Sequence, residues 1–134
     1  MREFKTRRKI EFADTDLGGI VHFSRYLVFM ETAEHEFLDA LGSCVHTVVD
    51  GETIGWPRVR VSCEYQSPAR YGDTLDITVG VLRKGRSSLT YEIRFEVDGR
   101  KIARGEATAV RCRLGPEMTA VPIPAELAAK IEEV

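Results

Sequence analysis

The sequence predicts an α+β fold in which a single antiparallel sheet wraps around one long helix. Two observations carry this. Leu27, Met30, Ala33, Phe37 and Leu41 recur at helical spacing, while Arg25, Glu31, Glu34, Glu36 and Asp39 fall largely off that stripe. From Val59 onward the pattern switches to a period of two and keeps it to about Arg113. Strands segregated from one helix indicate α+β rather than alternating α/β units.

The elements follow in order. Phe4, Thr6, Arg8, Ile10 and Phe12 alternate with charged residues, a half-exposed strand pattern. A turn follows at Asp14–Gly19, and Ser24 is placed to N-cap the long helix. Gly42 suits the C′ stop, which leaves room for about five turns. The segment from Gly42 to Trp56, with Asp50-Gly51 and Gly55, reads as a loop. Val59, Val61, Cys63 and Tyr65 then form one strand face, and Pro68 and Gly72-Asp73 break the run. Leu75, Ile77, Val79 and Val81 form the next, ended at Gly85. Leu89, Tyr91, Ile93, Phe95 and Val97 make a third strand, and Asp98-Gly99 signals a two-residue hairpin. The last strand, Arg100 to about Arg113, carries Ala103, Gly105, Ala107 and Ala109 on one face, small enough for the helix to lie close. Pro122 and Pro124 open a short helix expected over Ala125–Glu133. Such a sheet leaves a strand edge exposed, which dimerisation continuing the sheet would cover.

The 134 residues suit one domain spanning 1–134, and the 43% apolar content is ordinary for a packed core. A net charge of −2 argues against a broad nucleic-acid surface or an anionic-membrane surface. No apolar run reaches the roughly 18 residues that cross a bilayer, and the charged start MREFKTRRKIEF lacks a signal peptide's apolar middle. A cytoplasmic protein is the expectation. Cys44, Cys63 and Cys112 are odd in number and lack CxxC spacing, so buried free thiols are expected, and no metal site.

The densest chemistry lies in FADTDLGGIVHF, residues 12–23. Asp14 and Asp16 crowd against Gly18-Gly19 just before the helix. Turn formation and capping explain such residues, and so does a carboxylate aimed at a ligand near a helix N-terminus. His22 reads as a packed side chain or as a proton relay near neutral pH. Glu31, about two turns into the helix, reads with Glu34, His35 and Glu36 as a solvated face. Trp56-Pro57 suits a pocket wall or plain core.

The segment IEFADTDLGGIVHFSRYLVFME, with YQSPARYGDTLDITV and RKGRSSLTYEI downstream, resembles the 4-hydroxybenzoyl-CoA thioesterase family of hotdog-fold acyl-CoA thioesterases. The resemblance runs from about Thr6 to Val110. Its most specific part is a D-x-D-x-x-G-[IV]-V stretch followed by an aromatic pair and a tyrosine, matched by Asp14, Asp16, Gly19, Ile20, Val21, His22-Phe23 and Tyr26. The resemblance implies a hotdog fold and hydrolysis of an acyl-CoA thioester to a free acid and coenzyme A. It also implies a homodimer or homotetramer with active sites at dimer interfaces, and no cofactor beyond the coenzyme A of the substrate. By position it places the catalytic carboxylate on Asp16 and the oxyanion donor on a backbone N–H at His22-Phe23, that of Phe23 first. Gly19 and Tyr26 fall at the substrate, and Arg83, Lys84 and Arg86 at the coenzyme A phosphates. Many bacterial relatives carry an aromatic followed by histidine where this chain has His22 then Phe23, so His22 ranks below Asp16.

A thioester carbonyl is electrophilic enough to need no metal. Asp16 would attack it directly or activate water. Two other functions use the same fold: a non-catalytic acyl-CoA or acyl-carrier-protein binding module, and an enoyl-CoA hydratase or dehydratase. The latter pairs Asp with His five residues on, whereas Asp16 and His22 stand six apart, without an Asn-Pro between them.

Overall fold

The computed structural model describes residues 1–134. β1 (Glu3–Lys9) leads through a 3-10 turn (Phe12–Asp14) to helix α1 (Arg25–Ala40). A short hairpin, β2 (Thr47–Val49) and β3 (Glu52–Gly55), precedes β4 (Arg58–Tyr65), β5 (Thr74–Lys84), β6 (Ser88–Val97) and β7 (Arg100–Val110). β8 (Cys112–Arg113), β9 (Thr119–Ala120) and helix α2 (Ala125–Lys130) close the chain. The main sheet has the order β1-β5-β6-β7-β4 and is antiparallel throughout. A second sheet, β2-β3-β8-β9, covers one end.

The α+β reading holds, with the hotdog arrangement of a sheet curled on one long helix. Inward residues Leu75, Ile77, Val79 and Val81 of β5 and Leu89, Tyr91, Ile93 and Phe95 of β6 are buried against Phe29, Met30, Ala33 and Phe37 of α1. The small face of β7 explains how close the helix sits: a Cβ built on Gly105 would collide with the Met30 sulfur and methyl. The buried stripe is rotated from the predicted one. Tyr26 and Phe29 turn inward, and Leu27 is left outside.

Both predicted stops hold. Gly42 adopts φ +79, its N–H donates to the Asp39 carbonyl at 3.0 Å, and the Ser43 N–H donates to the Leu38 carbonyl at 2.9 Å. This is the paired bonding of a glycine-capped helix end. Asp98 and Gly99 adopt φ 48 and 80, the left-handed pair of a tight hairpin.

Other expectations need correction. The first strand ends at Lys9, and Phe12 points into solvent from the 3-10 turn. Ser24 makes no side-chain cap; its hydroxyl pairs with His22 instead. The Gly42–Trp56 segment folds as the β2–β3 hairpin, turned at Asp50-Gly51 with φ 50 and 77. The last strand breaks at Arg111 and crosses to the second sheet as β8. Helix α2 stops at Lys130, and Glu133 instead bridges Val81 of β5. Among the free cysteines only Cys112 is buried; Cys63 is half-buried and Cys44 exposed.

Candidate active site

Two short runs, 14–16 and 20–22, lie antiparallel. The His22 N–H donates to the Asp14 carbonyl at 2.8 Å, the Asp16 N–H donates to the Ile20 carbonyl at 2.9 Å, and Thr15 bridges Val21. The turn between them closes with the Gly19 N–H on the Asp16 carbonyl at 3.0 Å. Gly19 sits at φ +80, where a side chain is strained. Gly18 is needed for another reason. Its N–H reaches Asp16 Oδ1 at 2.8 Å, and a Cβ there would press on the same oxygen at 3.2 Å.

The two aspartates have separate surroundings. Asp14 is buried. Its Oδ1 accepts from Arg25 Nε at 2.9 Å and Nη2 at 2.8 Å, its Oδ2 accepts the Glu11 N–H at 2.9 Å, and Arg8 Nη2 lies 3.8 Å away. Asp14 therefore locks the turn to the first turn of α1. Asp16 is half-buried, and apart from the Gly18 N–H its carboxylate faces an open cavity of about 590 Å³ lined by Phe12, Thr15, Asp16, Leu17, Gly19 and Tyr71. Phe12 and Tyr71 meet edge to face, with centroids 6.5 Å apart. Sequence reasoning missed both. Tyr71 arrives from the β4–β5 loop, held by the Ile10 N–H on the Asp73 carbonyl (2.8 Å) and the Gly72 N–H on the Ile10 carbonyl (3.1 Å).

At the start of α1, His22 Nδ1 lies 2.7 Å from Ser24 Oγ and accepts the Ser24 N–H at 3.2 Å. That arrangement suits the neutral imidazole with its proton on Nε2. The His22 carbonyl accepts the Arg25 N–H at 2.9 Å. The Phe23 N–H donates to no protein acceptor, and the exposed Phe23 ring stacks on His22 at 4.5 Å. A free N–H at the positive end of a 16-residue helix can hold developing negative charge. Tyr26 is packed among Phe29, Tyr65 and Phe95, and burial pushes its hydroxyl up to about 12.

The basic segment divides. Lys84 lies in β5, and its ammonium donates to the Ala128 carbonyl at 2.8 Å and the Ile131 carbonyl at 3.0 Å. It caps α2, so its ammonium is engaged within the chain. Arg83 and Arg86 are exposed. Arg83 borders a groove of about 570 Å³ on the sheet face away from α1, with Arg60, Ser62, Ser88, Thr90 and Thr108. This groove shares no lining residue with the Asp16 cavity.

Glu34 is the largest departure from the predicted solvated face. It is 2% exposed and paired with Arg58, and burial pushes its carboxyl up to about 7 against the opposing pull of that arginine. Glu31 is exposed, 3.9 Å from Arg58. Trp56 belongs to the core and does not line the Asp16 cavity.

Comparison with known proteins places this geometry. The thioesterase-like superfamily model matches residues 10–131. A 1,4-dihydroxy-2-naphthoyl-CoA hydrolase from Synechocystis is 27% identical over 126 residues, covering 92% of this chain and 91% of the relative. Acyl-CoA thioesterase YbgC of Haemophilus influenzae is 25% identical over 121 residues, covering 90% and 88%. A solved gentisyl-coenzyme A thioesterase superposes with a TM-score of 0.83 at 29% identity, covering 92% and 98%. The chain belongs to the thioesterase-like superfamily, as a hotdog-fold thioesterase.

Proposed function

We propose that the protein hydrolyses an acyl-CoA thioester to a free carboxylic acid and coenzyme A. The observation that supports this most is the joining of an open carboxylate, Asp16, to an unoccupied N–H, Phe23, by one short antiparallel turn ahead of α1. The thioester carbonyl would rest on the Phe23 N–H. Such a donor stabilises a developing oxyanion by about 3 kcal/mol. The Asp16 carboxylate would attack the carbonyl carbon to give a mixed anhydride that water then cleaves, or would draw a proton from the attacking water. His22 supports the turn, and its Nε2 is the nitrogen left to face a substrate. Coenzyme A enters as substrate, and the reaction calls for no further cofactor.

The Phe12–Tyr71 pair beside Asp16 suits a flat acyl group, in keeping with the naphthoyl and gentisyl thioesters named for the relatives. The Arg83 groove and the Asp16 cavity lie apart on one chain. We therefore assign the Arg83 and Arg86 contacts with the coenzyme A phosphates to a neighbouring copy. Edge strand β4 is bonded only to β7 and exposes Val59 at 66% and Val61 at 45%, a surface suited to pairing with a second copy. Thiol release across a panel of aromatic, short-chain and long-chain acyl-CoAs tests the proposal. Turnover of at least one member is expected. Tight binding of acyl-CoA without release of thiol would instead make the protein a binding module.

A further inference from the structure

We infer that Tyr65 is a positioning residue for the oxyanion donor. This rests on the assignment of that donor to the Phe23 N–H. Tyr65 ends β4, its hydroxyl donates to the Phe23 carbonyl at 2.9 Å, and its ring packs against Tyr26 at 5.4 Å. The Phe23 carbonyl lies ahead of the α1 ladder. The Leu27 N–H, which would otherwise reach it, bonds back to Ser24 at 3.3 Å.

The consequence is a fully constrained pair of peptides. On the N-terminal side of Phe23, the His22 carbonyl is held by the Arg25 N–H. On the C-terminal side, the Ser24 N–H is held by His22 Nδ1 and the Phe23 carbonyl by Tyr65. Of the four polar groups in these two peptides, only the Phe23 N–H has no partner. Two of the three anchoring partners, the Arg25 N–H and His22 Nδ1, belong to the 22–25 segment itself. Tyr65 is the one that ties the segment to the sheet, 42 residues along the chain. An oxyanion donor stabilises charge only when its direction is set before the reaction. A rigid strand is better suited to set it than the turn alone.

Tyr65→Phe removes the hydroxyl and leaves the ring on Tyr26, so the fold is retained. The experiment compares wild type, Tyr65→Phe and Asp16→Asn on the best thioester of the panel, and measures binding of the matching coenzyme A thioether, which has no carbonyl oxygen. For Tyr65→Phe, kcat is expected to fall about tenfold, with thioether Kd unchanged within about twofold. Unchanged kcat overturns the inference, and so does a thioether Kd that rises in step with the loss of kcat, because Tyr65 would then act as a pocket wall. If Asp16→Asn abolishes turnover in either case, the active-site assignment survives the loss of this inference. If Asp16→Asn turns over fully, the assignment itself fails and takes the role of Tyr65 with it.

Discussion

Removing the Asp14 carboxylate should destabilise the protein strongly, although Asp14 is not assigned a chemical role. The buried carboxylate accepts two hydrogen bonds from Arg25 and one from the Glu11 N–H. Breaking a buried ion pair by deleting one partner costs about 3–5 kcal/mol. Arg25 and Arg8 are 33% and 26% exposed, so the stranded cations regain some water. The cost for Asp14→Ala then comes to about 2–3 kcal/mol. For a chain of this length that lowers Tm by roughly 10 °C. Thermal unfolding followed by circular dichroism measures it, and a double-mutant cycle with Arg25→Met isolates the pair, with a coupling expected above about 1 kcal/mol. A Tm shift under about 2 °C, or a coupling near zero, would refute the reasoning.

The basic segment and the buried acid give further tests. Arg83→Ala should raise KM for acyl-CoA several-fold, whereas Lys84→Met should lower Tm and leave KM unchanged, because Lys84 serves the carbonyls of Ala128 and Ile131; the opposite pattern would reverse the two roles. Glu34 has its folded-state carboxyl raised from 4.5 to about 7, so its contribution to stability is present below pH 4.5 and is lost as pH rises through 7. At about 1.4 kcal/mol per pK unit the loss comes to about 3.5 kcal/mol, and urea titrations of Glu34→Gln should show a flatter stability profile over that range. An identical profile in wild type and variant would exclude Glu34 as its source.

The long elements were legible because each repeats its period several times. The inward residues of β5 and β6 and the glycine-capped end of α1 could be read directly. The second sheet could not: its strands hold two to four residues, too few to display alternation. Glu34 reads as a surface residue because the arginine that accompanies it inward, Arg58, is 24 positions away on another element. The same holds at the site. The turn carrying Asp14, Asp16 and Gly19 is local and shows in the sequence. Tyr71 and Tyr65 reach it only through strand pairing, 55 and 42 residues beyond Asp16 and Phe23 respectively.

The central claim is that Asp16 performs the chemistry, and the thiol-release rate of Asp16→Asn tests it most directly. Asparagine keeps an oxygen for the Gly18 N–H, so the turn is preserved and loss of rate reports on the carboxylate. The account predicts a fall in kcat of at least about 100-fold, with Tm unchanged. Full turnover by Asp16→Asn on every thioester that the wild type cleaves would contradict it.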